Sequence, residues 1–284
     1  MEFLDQSSGQ FLDRGTDRLA LHAYPVDDAA TLAVLWPAMG VPARYYRHFA
    51  AALNATGIEV VVADLRGTGA STPRPSRASR YGLAELTADV EAVLDTLKPR
   101  RAGRRTLLVG HSLGGQACAL HLATRHAAGL DPGVDGLALL AVGLPYWRCY
   151  PGLRAPSTLA FTSSLAAVSA LLGVWPGWGF GGRQSRGVIG DWAHTARTGR
   201  YPTLAGVDIE AALPGVRLPV LAVDMETDQY TPAPTVDFLT AKLSAASVTR
   251  AHYSAADAGS PIDHFTWARH GTLLASRVAD WFSP

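Results

Sequence analysis

Short, nearly unbroken apolar runs alternate with longer stretches of helical period along most of this 284-residue chain. Residues 32–36, 58–63, 106–109, 136–142 and 219–223 are such runs, the pattern of strands covered on both faces. Between them, residues 45–55, 83–97 and 115–126 bring an apolar side chain round every three or four positions, one stripe of an amphipathic helix. Strand, helix, strand, helix predicts an α/β fold with a mostly parallel, doubly wound sheet. The alternation lapses after Val142 and resumes near Leu218. The intervening residues 143–217 are rich in Gly and Pro and carry Trp147, Trp175, Trp178 and Trp192. An insertion there falls at the carboxyl ends of the strands, where open α/β sheets bind ligands. It reads as a cap on a core built from residues 1–142 and 218–284. After the last apolar run, a helix over 233–243, a strand over 248–253 and a helix over 265–282 are expected to close the sheet.

Composition narrows the partners. Hydrophobic residues make up 48% of the chain, and 25 Lys and Arg nearly balance 24 Asp and Glu, so neither a nucleic acid nor an anionic surface is favoured by bulk charge. The basic cluster Lys98, Arg100, Arg101, Arg104 and Arg105 reads as a solvated loop. Two cysteines, Cys118 and Cys149, are too few for a disulfide framework. With an acidic, polar start, MEFLDQSSGQFLDRG, they point to the cytoplasm. The uncharged stretch 155–182 is interrupted by Thr158, Thr162, Ser163, Ser164, Ser169, Gly173, Pro176 and Gly177. Its apolar segments fall short of the ~20 residues that cross a bilayer, so it reads as a buried lid segment with no membrane span. The histidines do not fall at metal-ligand spacing, and neither a metal nor a cofactor is expected.

Gly110-His111-Ser112-Leu113-Gly114 follows a predicted strand and opens a predicted helix. A strand-to-helix turn this tight leaves no room for side chains at its two glycines and holds the serine strained, with Oγ exposed at the helix N-terminus. A serine hydroxyl is a poor nucleophile unless a base and a group that orients the base lie in reach. The acid is expected just after the run 219–223, where Asp224, Glu226 and Asp228 compete. Asp228 lies past the strand end in a loop closed by Pro232 and is the choice, with Glu226 in reserve. The base is expected between the last strand and the last helix. That singles out His264, since His252 falls inside the strand and His270 inside the helix. Backbone N–H donors for a developing oxyanion are expected from Leu113 and from the loop after the first long run, where Met39 is the best placed. Asp64-Leu65-Arg66-Gly67-Thr68-Gly69 lacks the spacing of a phosphate-binding loop and reads as a structural turn. Asp191 and Trp192 read as packing within the insertion.

With these residues in place the chain resembles the α/β-hydrolase superfamily from about residue 19 to residue 282. Pro37-Ala38-Met39-Gly40-Val41 with Tyr45-Tyr46, then Asp64 to Gly69, and Asp257-Ala258-Gly259 leading to His264-Phe265 are similar to a group of bacterial hydrolases labelled serine-aminopeptidase-like. The resemblance implies the triad Ser112, Asp228 and His264 and a capped fold. In the wider superfamily a His-Gly pair precedes the oxyanion loop; here Pro37-Ala38 stands in its place. The expected activity is hydrolysis of a carboxylic ester or thioester, a small-molecule substrate with an apolar acyl group suited to the uncharged insertion. Acyl transfer or amide and aminopeptide cleavage by the same triad is the alternative, and a non-catalytic binding module on the same fold is the other.

Overall fold

The computed structural model describes residues 8–283, so the first seven residues of the polar N-terminal stretch lie outside the described residues. Eight strands form one sheet: β1 (Ser8–Arg14), β2 (Asp17–Tyr24), β3 (Thr31–Trp36), β4 (Glu59–Ala63), β5 (Arg105–His111), β6 (Gly136–Leu140), β9 (Pro219–Met225) and β10 (Ser247–Tyr253). A second, two-stranded sheet pairs β7 (Val174–Trp175) with β8 (Gln184–Ser185). The main sheet runs in the order β1-β2-β4-β3-β5-β6-β9-β10. From β4 to β10 every pairing is parallel, and β1 and β2 form an antiparallel hairpin on the edge. This is the α/β-hydrolase fold, with its mostly parallel sheet covered on both sides.

The burial is two-sided at the level of single residues. Leu32, Val34 and Trp36 of β3 enter one core with Leu108 of β5, while Ala33 and Leu35 enter the other with Leu107 and Val109. Successive side chains of a strand point to opposite faces, which is why these strands read as continuous apolar runs. Helices α2 (Leu83–Thr96) and α4 (Leu113–Ala127) cover the first face, and α1 (Arg47–Asn54) and α10 (Thr272–Phe282) the second. The short helices are α3 (Lys98–Arg101), α7 (Ile209–Ala212), α8 (Ala233–Thr240) and α9 (Ala255–Ala258).

Several expectations are corrected. The hairpin β1–β2 was not expected, because Arg14, Asp17 and Arg18 break its apolar pattern and one strand is an exposed edge. The closing helix starts at Thr272 rather than at residue 265: the Asp263 carboxylate accepts from Phe265 N, Thr266 N and Thr266 Oγ1, closing a separate turn first. His270 therefore precedes the helix. The basic cluster is not a solvated loop. Lys98–Arg101 is helical, Arg100 and Arg104 pair with the buried Glu59, and Arg101 donates to Thr106 Oγ1 at 3.1 Å.

The stretch read as a buried lid is also corrected. Residues Arg154–Leu172 form one continuous helix, α5, whose hydroxyls are satisfied by carbonyls one turn earlier, as Thr162 is by Thr158 O at 2.9 Å and Ser164 by Ala160 O at 2.8 Å. Gly173, at φ 74°, ends it. Only Thr162, Leu165 and Ser169 of this helix are buried, while Leu171 is 86% exposed. By length and composition α5 is the one described helix long and apolar enough to cross a membrane. It lies along α6 (Arg186–Thr198).

One buried ionic group ties the edge hairpin to the first helix layer. Asp89 on α2 is 1% exposed and receives Arg66 through Nε at 2.9 Å and Nη2, and Arg14 at 3.3 Å, while Arg66 also reaches Asp17 of β2. Burial raises the Asp89 carboxyl above its usual range, and the two arginines offset this only in part. Removing one partner of such a group strands a charge in the interior. Arg66→Met is expected to cost about 3–5 kcal/mol in chemical denaturation, with much of the loss recovered in R66M/D89L. A cost below about 1 kcal/mol, at the level of a surface pair, would rule out this anchoring role.

Candidate active site

The turn after β5 is built by glycines. A Cβ on Gly110 would stand 2.1 Å from Gly115 Cα, and one on Gly114 would stand 2.4 Å from the carbonyl oxygens of both Trp36 and Pro37. Backbone meets backbone at each point, so no side chain fits. Ser112, between them, has φ 51° and ψ −122°, a region L-residues avoid at a cost of about 1–3 kcal/mol. The strained turn puts Ser112 Oγ at the N-terminus of the 15-residue helix α4, where the helix dipole favours negative charge.

The loop after β9 sorts the three carboxylates. Asp224 is engaged by Arg250 at 3.0 Å and by His252 at 2.6 Å, and Glu226 accepts from Ala255 N at 2.6 Å. Asp228 alone meets His264: its Oδ2 accepts from His264 Nδ1 at 2.7 Å. It also accepts from Tyr230 N, Thr231 N and Thr231 Oγ1 at 2.8, 2.8 and 2.6 Å. Burial alone would raise this carboxyl, but His264 and the Thr231 bonds outweigh it and hold Asp228 below the usual carboxylate range. Because Nδ1–H donates to Asp228, Nε2 is left as an acceptor, and it lies 3.0 Å from Ser112 Oγ. The structure thus brings Ser112, His264 and Asp228 into one hydrogen-bonded row, with the histidine 4% exposed.

Met39 and Leu113 line the same cavity as Ser112. Neither backbone N–H donates a hydrogen bond among the described residues. The Met39 loop is held from two sides. Ala38 N donates to Tyr46 Oη at 2.9 Å, and the same hydroxyl shares a 2.6 Å hydrogen bond with His111 Nδ1. Burial pushes the His111 imidazole well below the usual histidine range, and His264 pushes it the same way, so His111 stays neutral beside the His264 ring, 4.8 Å away between centroids. On the other side the insertion touches the loop. A Cβ on Gly40 would stand 2.2 Å from Gly181 O, and one on Gly181 would stand 2.7 Å from Met39 Sδ.

A cavity of about 590 Å³ opens at Ser112 and His264, walled by Phe161, Phe180, Trp192, Tyr230 and Phe265. Trp192, read from sequence as internal packing, both stacks near Phe180 at 5.2 Å and lines the cavity, while Asp191 accepts from Leu83 N at 2.8 Å and caps α2. The Asp64 loop is a structural turn: its carboxylate accepts from Ala43 N at 2.6 Å and Ala70 N at 2.8 Å. The sequence reading missed Thr231, Tyr46 and Gln116. Thr231 was legible as the third residue after Asp228, a spacing that lets a carboxylate and hydroxyl close a turn, and Gln116 as one helical turn beyond Ser112. Among the described residues no group of three or more His, Cys, Asp or Glu could hold a metal ion.

Comparison with known proteins agrees with this architecture. Similar solved structures include a thioesterase domain from the curacin biosynthetic pathway, 17% identical, covering 96% of this chain and 99% of that one with a TM-score of 0.64. The enol-lactonase from Burkholderia xenovorans LB400 is 18% identical over 97% of this chain and 100% of its own, at a TM-score of 0.61. Est1E from Butyrivibrio proteoclasticus, with ferulic acid bound, is 16% identical over 95% and 97%, at 0.63. At these identities the likeness is one of fold. No curated protein matches the sequence. The family model described as "Serine aminopeptidase, S33" matches residues 28–173, just over half of the chain, and the protein therefore belongs to that family of α/β-hydrolases.

Proposed function

We propose that the protein is a serine hydrolase that cleaves a carboxylic ester or thioester with an apolar acyl group. The observation that carries this reading is the continuous row from Asp228 Oδ2 through His264 to Ser112 Oγ, with links of 2.7 and 3.0 Å. Ser112 Oγ attacks the carbonyl carbon as His264 Nε2 takes its proton, and Asp228 steadies the imidazolium. The Leu113 and Met39 amides receive the oxyanion. His264 returns the proton to the leaving alcohol or thiol, and water, activated by the same imidazole, then releases the acid. Residues 143–217 act as a cap in this reading, supplying Phe161, Phe180 and Trp192 to an apolar wall for the acyl group.

The family's name raises amide cleavage by the same groups. An aminopeptidase needs a carboxylate for its substrate's ammonium group, and Asp263, the acidic side chain lining the cavity, already has Oδ1 engaged by three donors from Phe265 and Thr266. Asp263 Oδ2 lies outside those bonds, so the preference for a neutral ester or thioester rests on the aromatic wall of Phe161, Phe180, Trp192, Tyr230 and Phe265.

Ser112→Ala and His264→Ala are each expected to lower p-nitrophenyl butyrate hydrolysis by three or more orders of magnitude; full activity in either variant sinks the corresponding assignment. Asp228→Asn is expected to lose on the order of 10³–10⁴ in kcat, whereas Glu226→Gln keeps its rate, and the reverse pattern would move the acid to Glu226. Because the folded state lowers the Asp228 pKa, its carboxylate stays ionised until the pH falls below the usual carboxylate range. Asp228 is therefore expected to add no step of its own to kcat/KM as the pH falls through the usual carboxylate range, and a step there would contradict the geometry. Tyr46→Phe removes the partner of both Ala38 N–H and His111 Nδ1, and should cost about 1–3 kcal/mol of stability and roughly tenfold in kcat with KM little changed. A loss confined to KM would show that Tyr46 does not position the oxyanion loop.

A further inference from the structure

Gln116 stands one turn along α4 from Ser112, on the same face of the helix, and lines the cavity while being only 3% exposed. Its Nε2 donates to Gly143 O at 2.8 Å. A carbonyl oxygen only accepts, so the amide must turn its NH₂ to Gly143, and this sets which end is which. Gly143 is closely packed: a Cβ there would stand 2.2 Å from Thr235 Oγ1, and Leu144 N donates to Thr235 O at 3.0 Å. The bond to Gly143 anchors the NH₂ end of the amide, and Oε1 is buried with no hydrogen-bond partner among the described residues.

The other buried polar groups around the cavity are satisfied. Thr162 donates to Thr158 O, Thr231 to Asp228, and Tyr150 to Tyr230 O. Among the cavity-lining side chains, Gln116 alone keeps a buried acceptor unpaired. Such a group is costly to leave unmet, and a site that holds one discriminates strongly between a ligand that supplies the missing donor and one that does not.

Resting on the ester or thioester reading above, we propose that Gln116 is a specificity-determining residue that selects acyl groups bearing a hydroxyl a few atoms beyond the reacting carbonyl. Four residues of helix advance about 6 Å, so the hydroxyl is sought several bonds beyond the reacting carbonyl, at carbon 3 to carbon 5 of the acyl chain. The hydroxyl donates to Oε1, while the aromatic walls take the rest of the chain. A methyl group at the same carbon has the same bulk and no proton to give, so it leaves Oε1 unpaired.

The test is a series of ethyl hexanoates carrying either a hydroxyl or a methyl at carbon 3, 4 or 5, followed by acid release. In the unmodified enzyme kcat/KM for the hydroxyl ester is expected to exceed that for its methyl counterpart about tenfold at one of these positions. Gln116→Met, of similar size and without the acceptor, is expected to erase that ratio, and Ser112→Ala to turn over neither ester. Hydroxyl esters that are no better than methyl esters at every position, or a preference that persists in Gln116→Met, overturn the proposal while Ser112-dependent turnover leaves the hydrolase reading standing. Turnover that survives Ser112→Ala instead overturns the hydrolase reading and this proposal with it. Should Gln116→Met fail to fold, the series in the unmodified enzyme decides alone.

Discussion

The strained turn at Ser112 depends on three backbone approaches that admit no Cβ. Gly110 lies against Gly115, and Gly114 against the carbonyls of Trp36 and Pro37. These contacts force β5 to end and α4 to begin within one residue, and Ser112 absorbs the mismatch at φ 51°. The conformation persists because the surroundings over-determine it. β5 sits in the middle of the sheet, bonded on both sides by β3 and β6, and α4 is buried along most of its first eleven residues. Neither element can give way. The packing of the whole core thus fixes one hydroxyl.

The Gly114 approach has a second effect, because the atoms it touches begin the Met39 loop. The turn that exposes Ser112 and the loop that carries the candidate oxyanion amide are in van der Waals register through Trp36 and Pro37. Tyr46 adds a hydrogen bond to the same loop at Ala38 and passes it on to His111, the residue before the serine. The glycine-rich loop around Gly181 presses on Met39 and Gly40 from the insertion. Where the wider superfamily carries His-Gly, this chain has Pro37-Ala38, and the Tyr46–His111 pair supplies a restraint of its own on that segment.

Strand positions and the order of the chemistry were legible because both follow from short-range rules. Fully buried strands must be apolar along their length, and a serine between glycines at a strand-to-helix junction takes the tight turn that the structure shows. Leu32–Trp36 and the Gly110–Gly114 turn were readable for those reasons. What escaped depended on partners far away in sequence. The edge hairpin is stabilised by Arg66 and Asp89, residues outside it. The basic run at 98–105 looked solvated because Glu59, its buried partner, lies some forty residues earlier. α5 looked broken because its hydroxyls were counted as polar when the helix itself satisfies them. The place of Gln116 one helical turn beyond Ser112 was readable, but its unpaired acceptor was not, because such a group is defined only by what fails to surround it.

Electrostatics makes the same division between what is local and what is imposed. His111 and His264 lie ring against ring, and two imidazolium ions could not share that space. Burial settles the matter by keeping His111 neutral, hydrogen-bonded to the Tyr46 hydroxyl at 2.6 Å. His264 instead stands opposite an Asp228 whose four hydrogen bonds hold it ionised in spite of its burial. Two adjacent histidines differ in role because one faces a hydroxyl and the other a carboxylate, the environment rather than the residue type deciding which can carry a proton. The row can therefore hold one negative charge at rest and gain one positive charge next to it during reaction, which is the change that a serine attacking a carbonyl requires.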